Sequence, residues 1–226
     1  MHEAQLHEEN QFLTLTYDDD HLPDDHGLDQ SHMQKFWKRL RKAYPENKIR
    51  YVYAGEYGGK TARPHYHAIA FGLDLPDLVH KEDNHRGEKL YTSESLDQIW
   101  GKGFSVVGEV TSHSCAYVAS YMLKDTKTGL WKDEYTYLNE FTGEFHQRMK
   151  PFARHSNRPG IGRDWYETFK DDVFPDDFVV CKVGNKYRRM PTPKYYLNLL
   201  EKHNPALHEQ IKSRRQDHTK SVRAWR

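Results

Sequence analysis

Hydrophobic and polar positions change period several times along the first 130 residues, and each change marks an element. Gln11 to Tyr17 (QFLTLTY) alternates and is rich in β-formers, which predicts a strand. Ser31 to Ala43 switches to a helical period. Met33, Phe36, Trp37 and Leu40 fall at i, i+3, i+4 and i+7, and Ser31 with Gln34 makes a capping-box pattern. Arg50 to Tyr57 returns to strand character, and the Gly58-Gly59 turn leads to a strand from His65 to Phe71. About twenty polar residues then read as a loop. Ser93 to Trp100 predicts a short helix stopped at Gly101, and Phe104 to Val107 a fourth strand. A helix capped by Thr111 or Ser112 runs to about Lys124. The order β-α-β-β-α-β-α is that of a split βαβ, ferredoxin-like α+β fold, an antiparallel sheet flanked by helices.

The rest is less regular. Arg158-Pro159-Gly160-Ile161-Gly162 reads as a loop, followed by a helix from about Asp164 to Lys170. Phe178 to Val183 and Lys186 to Arg189 suggest a hairpin around Gly184-Asn185. Pro193 to Lys202 and Ala206 to Arg215 look helical. There is no internal repeat. These patterns divide the chain into a core over residues 1–130 and a smaller mixed extension over 131–226.

Composition narrows the class. Hydrophobic residues make up 36% of the chain and mean hydropathy is −0.99, but 13% aromatics suffice for a core. No apolar run approaches the roughly 20 residues that span a membrane. The N-terminus lacks the basic and apolar regions of a signal peptide. Cys115 and Cys181 do not make a disulfide framework and read as buried small hydrophobes of a chain in a reducing cytoplasm. Net charge is only +1, yet Lys35, Lys38, Arg39, Arg41, Lys42, Lys48 and Arg50 cluster in one segment. Lys212, Arg214, Arg215, Lys220, Arg223 and Arg226 cluster in the tail. Each cluster fits a solvated helix face or a phosphate-binding surface.

Candidate chemistry centres on Arg63-Pro64-His65-Tyr66-His67. On a strand, residues i and i+2 share a face, so His65 and His67 present two imidazoles together. With 15 histidines in 226 residues, one His-x-His is expected about once by chance, so context must carry the case. Glu56 supplies some of that context. A tight turn at Gly58-Gly59 sets it beside His65, completing a Glu/His/His set suited to Mn²⁺ or Mg²⁺. A structural Zn²⁺ site would want a fourth ligand, and neither cysteine is near in sequence.

The helix after the fourth strand adds a second element. At helical spacing Tyr117, Tyr121 and Lys124 share one stripe, with Cys115, Val118, Ala119, Met122 and Leu123 on a face that would be buried. A phenol is a poor nucleophile at neutral pH. Charge withdrawal from a phosphodiester by a metal, with a nearby ammonium, makes its attack feasible.

His65-Tyr66-His67 resembles the HUH motif of rolling-circle replication initiators. Tyr117-x-x-x-Tyr121 resembles their paired-tyrosine motif, and Tyr121-x-x-Lys124 the tyrosine–lysine spacing of single-tyrosine members. Phe12-Leu13-Thr14-Leu15-Thr16-Tyr17, Tyr53-Ala54-Gly55-Glu56-Tyr57-Gly58 and Arg158-Pro159-Gly160-Ile161-Gly162 complete a set similar to the initiators of small single-stranded DNA phages, the Microviridae of gokushovirus type. The resemblance covers about residues 1–180. Relatives of this type carry a Cys-containing segment ahead of the first strand, and this chain begins near the end of that lead-in, as a truncated or divergent form would.

The resemblance implies an HUH endonuclease domain that nicks and rejoins single-stranded origin DNA to start and end rolling-circle replication. Glu56, His65 and His67 would hold Mn²⁺ or Mg²⁺. Tyr121 would attack first, leaving a 5′-phosphotyrosine and a free 3′-OH, and Tyr117 would cut the regenerated origin. Lys124 would steady phosphate charge, and Thr14 and Thr16 would shape the sheet face. The expected setting is the cytoplasm of a bacterial host, as a monomer working with host helicase and polymerase. No Walker A pattern occurs, so no fused helicase is expected. The rival readings are a non-catalytic single-strand-binding module and an HUH transposase, which the paired tyrosines disfavour. A cupin-like oxygenase is disfavoured by the helices, and a two-histidine phosphoesterase by the lack of repeated His-x-Thr/Ser motifs.

Overall fold

The computed structural model describes residues 1–59, 61–124, 135–139, 142–174, 176–183 and 186–224, with side chains undescribed at 122–124, 182–183 and 217–224. It divides into two compact units, Met1–Ile161 and Gly162–Arg226.

The first unit is built on β1 (Asn10–Tyr17), α1 (Gln30–Ala43), β2 (Arg50–Tyr57), β3 (Pro64–Phe71), β4 (Val79–Asp83), β5 (Lys89–Thr92), α2 (Glu94–Trp100), β6 (Gly103–Glu109), α3 (Ser112–Lys124), β7 (Thr136–Leu138), β8 (Phe145–Gln147) and β9 (Phe152–His155). Seven of these strands form one sheet in the order β4-β5-β6-β1-β3-β2-β9. Every pairing in it is antiparallel. Its centre, β6-β1-β3-β2, is the arrangement the split βαβ pattern requires.

Strand alternation sorts side chains between two faces. Leu13, Leu15 and Tyr17 of β1 and Tyr66, Ala68 and Ala70 of β3 point to one face. There they pack with Met33, Phe36, Trp37 and Leu40 of α1 and with Leu96 and Trp100 of α2. The apolar stripe of α1 read from the sequence is the stripe that is buried. On the other face α3 covers Ala54, Ile69 and Phe71 through Val118 and Tyr121. The remainder of that face, around Thr14, Thr16, His65 and His67, is where the candidate site lies.

Some expectations need correction. Helix α1 starts one residue early and is capped by Asp29, whose carboxylate accepts from Ser31 N at 2.7 Å, not by Ser31. A charged acceptor at a helix N-terminus gains from the helix dipole as well as the hydrogen bond. The polar stretch after β3 holds the β4–β5 hairpin. Its outer strand, Val-His-Lys-Glu-Asp, is exposed throughout and carries no alternating signal. Residues 135–161 belong with the first unit, because β9 pairs with β2 and closes the sheet on that side.

The second unit contains α4 (Arg163–Val173), β10 (Phe178–Val183), β11 (Lys186–Pro191), α5 (Lys194–His203) and α6 (Pro205–Ala224). Trp165, Tyr166, Val173, Phe174, Val179, Tyr196, Leu199, Leu200 and Ile211 form its own core. The hairpin is observed, and its expected turn, Gly184-Asn185, lies outside the described residues. Both cysteines are free but half-buried. Among the described residues no helix is long and apolar enough to cross a membrane.

Candidate active site

The register of β2, β3 and β1 builds the site. Glu56 stands opposite His65, and Ala54 opposite His67. On the other side of β3, Thr16 stands opposite His65 and Thr14 opposite His67. Directly opposed residues share a face, so both imidazoles, Glu56 and the two threonines project together. Tyr66 points the other way and is fully buried. Its hydroxyl lies 2.9 Å from that of Tyr17, accepts from Asp29 N at 2.8 Å and donates to Asp29 O at 3.0 Å.

One carboxylate oxygen is the focus. Glu56 Oε1 lies 3.0 Å from His65 Nε2 and 2.9 Å from His67 Nε2. Tyr117 Oη donates to the same oxygen at 2.7 Å and lies 3.4 Å from His67 Nε2. Tyr121 Oη donates to Tyr117 Oη at 3.0 Å. The ligand atoms of Glu56, His65 and His67 all fall within 4.8 Å of one another, and the three could hold a metal ion.

The donor chemistry suits a cation. His65 Nδ1 lies 3.1 Å from Arg63 O, and a carbonyl only accepts, so Nδ1 carries the proton. In the neutral ring the Nε2 lone pair then faces a carboxylate oxygen, an arrangement that needs a proton or a metal ion between them. His67 is held by Thr14 Oγ1 at 3.1 Å from its Nδ1 and by Phe12, stacked at 5.7 Å with an interplanar angle of 6°. Partners on the far ring nitrogen are what orient metal-binding imidazoles.

Titration behaviour follows. Burial alone would raise the Glu56 pKa, but hydrogen bonds from His65, His67, Tyr121 and Tyr117 outweigh it and hold the group ionised. Burial lowers His65, yet Glu56 and the Arg63 carbonyl bring it above its usual value. Burial wins at His67, aided by repulsion from His65, and lowers it. Burial and the adjacent Glu56 push the Tyr117 phenol up to about 12, opposed by a hydrogen bond from Tyr121. Burial, Glu56 and Tyr117 raise Tyr121 further.

The family model for the replication-associated protein ORF2 matches residues 10–126, which span all of β1 through α3. This chain belongs to that family. Replication-associated protein VP4 of Bdellovibrio phage phiMH2K is 34% identical over 211 residues, covering 90% of this chain and 62% of that protein. Replication-associated protein ORF2 of Spiroplasma virus 4 is 34% identical over 200 residues, 85% of this chain and 58% of that protein. Replication-associated protein ORF4 of Chlamydia phage 1 is 39% identical over 207 residues, 88% of this chain and 48% of that protein. The chain thus spans about half to three fifths of the length of these relatives. No solved structure matches it significantly.

Within the family's matched region, five of the six site residues read from the sequence, Glu56, His65, His67, Tyr117 and Tyr121, meet at one place. Lys124 closes α3, and its side chain lies outside the described residues. The two phenols are not equivalent. Tyr117 is 42% exposed, whereas Tyr121 is 7% exposed and packs with Val118 and Ile69. Ala119, expected on the buried face, is exposed.

Sequence reasoning missed the Arg63 carbonyl and Phe104. Phe104 stands opposite Thr16 in the row that contains His65 and Glu56, and it is 65% exposed. It follows Gly103, at φ +136°, where a Cβ would collide with the backbone of β1 at Thr16 and Asp18. An exposed aromatic at the start of an otherwise buried strand was the available signal. The first basic cluster lies on the opposite side of the sheet, and two of its members are tied down. Arg39 bonds the carbonyls of Ile99 and Trp100, and Arg41 bonds that of Ile49 and lies over Tyr51.

Proposed function

We propose that this chain acts in phage genome replication inside a bacterial host, as a metal-dependent endonuclease and strand transferase on single-stranded DNA. The observation that carries the reading is the meeting of a phenol with a Glu/His/His set at Glu56 Oε1, with Tyr117 2.7 Å from it. Family membership and phage relatives named replication-associated proteins support the setting.

Glu56, His65 and His67 fit Mn²⁺ or Mg²⁺, which when bound would polarise a scissile phosphate as a Lewis acid. The Tyr117 oxygen attacks phosphorus, the O3′–P bond breaks, and the products are a 5′-phosphotyrosine and a free 3′-OH. The energy of the cleaved linkage stays in the new ester, so rejoining needs no nucleotide cofactor. Phe104 offers a π-face beside the site on which a base can stack. Tyr121 serves the second cleavage. This reverses the order expected from the Tyr121–Lys124 spacing, because Tyr121 is buried behind Tyr117 and reaches a phosphate only after Tyr117 has moved aside.

Incubation with Mn²⁺ and single-stranded origin DNA should give a covalent adduct on a denaturing gel. An adduct undiminished in Tyr117→Phe/Tyr121→Phe, or formed fully by His65→Ala/His67→Ala, would overturn the reading.

A further inference from the structure

The two units carry opposite charge. Residues 162–226 hold fourteen Lys/Arg against nine Asp/Glu, a net +5, whereas residues 1–161 hold twenty against twenty-four, a net −4. A unit of net negative charge does not by itself draw a phosphate chain to its site, so the electrostatic grip has to come from elsewhere.

The β10–β11 hairpin has the features of such a grip. Residues 178–191 contain four Lys/Arg and no Asp or Glu. Val179 on β10 is buried in the second core, while every residue of β11 is exposed. In register, Val180 stands opposite Arg189 and Lys182 opposite Tyr187, so Tyr187, Arg189 and Val180 share the outward face. Tyr187 is 75% exposed, and the Arg189 guanidinium sits over Phe178 at 4.5 Å from the ring centroid. No carboxylate pairs with Lys186, Arg188 or Arg189 among the described residues. Cationic side chains on an edge strand discourage pairing with another strand, because a second copy would bring like charge.

We infer that the Lys186–Arg189 segment of this hairpin binds single-stranded nucleic acid, with Arg188 and Arg189 on phosphates and Tyr187 stacked on a base. It deepens the proposed function, resting on that reading only for DNA as the physiological strand. Free cations spaced along an exposed strand, interleaved with an aromatic, match a phosphate chain with unstacked bases.

The test is fluorescence anisotropy of the full-length chain with labelled oligo(dT) in EDTA across a salt series. Single-strand binding loses about 0.7 in the slope of log K against log salt per phosphate contact, so Arg188→Gln/Arg189→Gln should flatten it by about 1.4 and weaken affinity about tenfold or more. Tyr187→Ala should weaken binding about fivefold or more with little change of slope, and should leave duplex binding unchanged. The charge-matched control Lys38→Gln/Lys42→Gln, in α1, should change neither. Unchanged affinity and slope in the arginine variant would overturn the inference, as would an equal loss in the control or an equal effect of Tyr187→Ala on duplex. Circular dichroism verifies folding of each variant. Because EDTA removes metal, the binding assay reads the hairpin whether or not the phenols cleave, and the adduct assay reads the phenols alone.

Discussion

Tyr117 donates its phenolic hydrogen to Glu56 Oε1 at 2.7 Å, the same oxygen that faces both His65 and His67. The candidate nucleophile therefore rests on the candidate metal ligand. Tyr117→Phe should abolish the first-cleavage adduct. Tyr121→Phe should retain first cleavage and lose the second cut and rejoining. Single-turnover assays on a one-origin and a two-origin oligonucleotide separate the two steps, and the opposite pattern would restore Tyr121 as the first nucleophile.

Metal affinity should depend on residues behind the ligands. Glu56→Gln or His65→Ala/His67→Ala should remove measurable Mn²⁺ binding by calorimetry. Thr14→Val, which releases His67 Nδ1, should weaken it about tenfold or more, in the range for partners that orient a metal-binding imidazole. Chelation of the metal should abolish adduct formation, and added Mn²⁺ should restore it.

Phe104→Ala should weaken binding of single-stranded substrate by about 1–3 kcal/mol, the cost of losing one stacked base. With 65% of Phe104 exposed, thermal stability should hardly change. Unaltered substrate affinity would remove Phe104 from the substrate path.

Acid stability should rest partly on two helix-start carboxylates. Burial opposes ionisation of Asp29, but hydrogen bonds from Ser31 prevail and lower its pKa. At Asp77 burial is outweighed by hydrogen bonds from Ser95 and Ser93 at the start of α2. Both pKa values lie below their unfolded values. The stabilisation is thus fully present above about pH 4 and is lost as pH falls through the depressed folded values. Asp29→Ala should cost about 1 kcal/mol at neutral pH. Asp29→Ala/Asp77→Ala should show a shallower loss of stability on acidification than the parent, measured by urea titration.

The sequence was most legible where one periodicity governed one buried face. The α1 stripe, the β2 and β3 strands and the Glu56–His65 pairing follow from alternation plus a short turn. It was least legible at the sheet margins. Strand β4 is exposed on both faces and strand β9 is only four residues, so neither shows a pattern strong enough to announce itself. Helical spacing put Tyr117 and Tyr121 on one stripe. It could not say that the first lies open while the second is covered by the sheet beneath it, because that depends on how α3 crosses β2 and β3.

The fixed position of Tyr66 has a consequence for how reliably the site assembles. A slip of β3 by one residue would turn both imidazoles into the apolar layer and expel Tyr66 to solvent. Its hydroxyl would lose Tyr17 and Asp29 in the same movement. Misregistered folding is therefore penalised on both faces at once, and the odd–even spacing of His-Tyr-His acts as a proofreading device for the geometry it later uses.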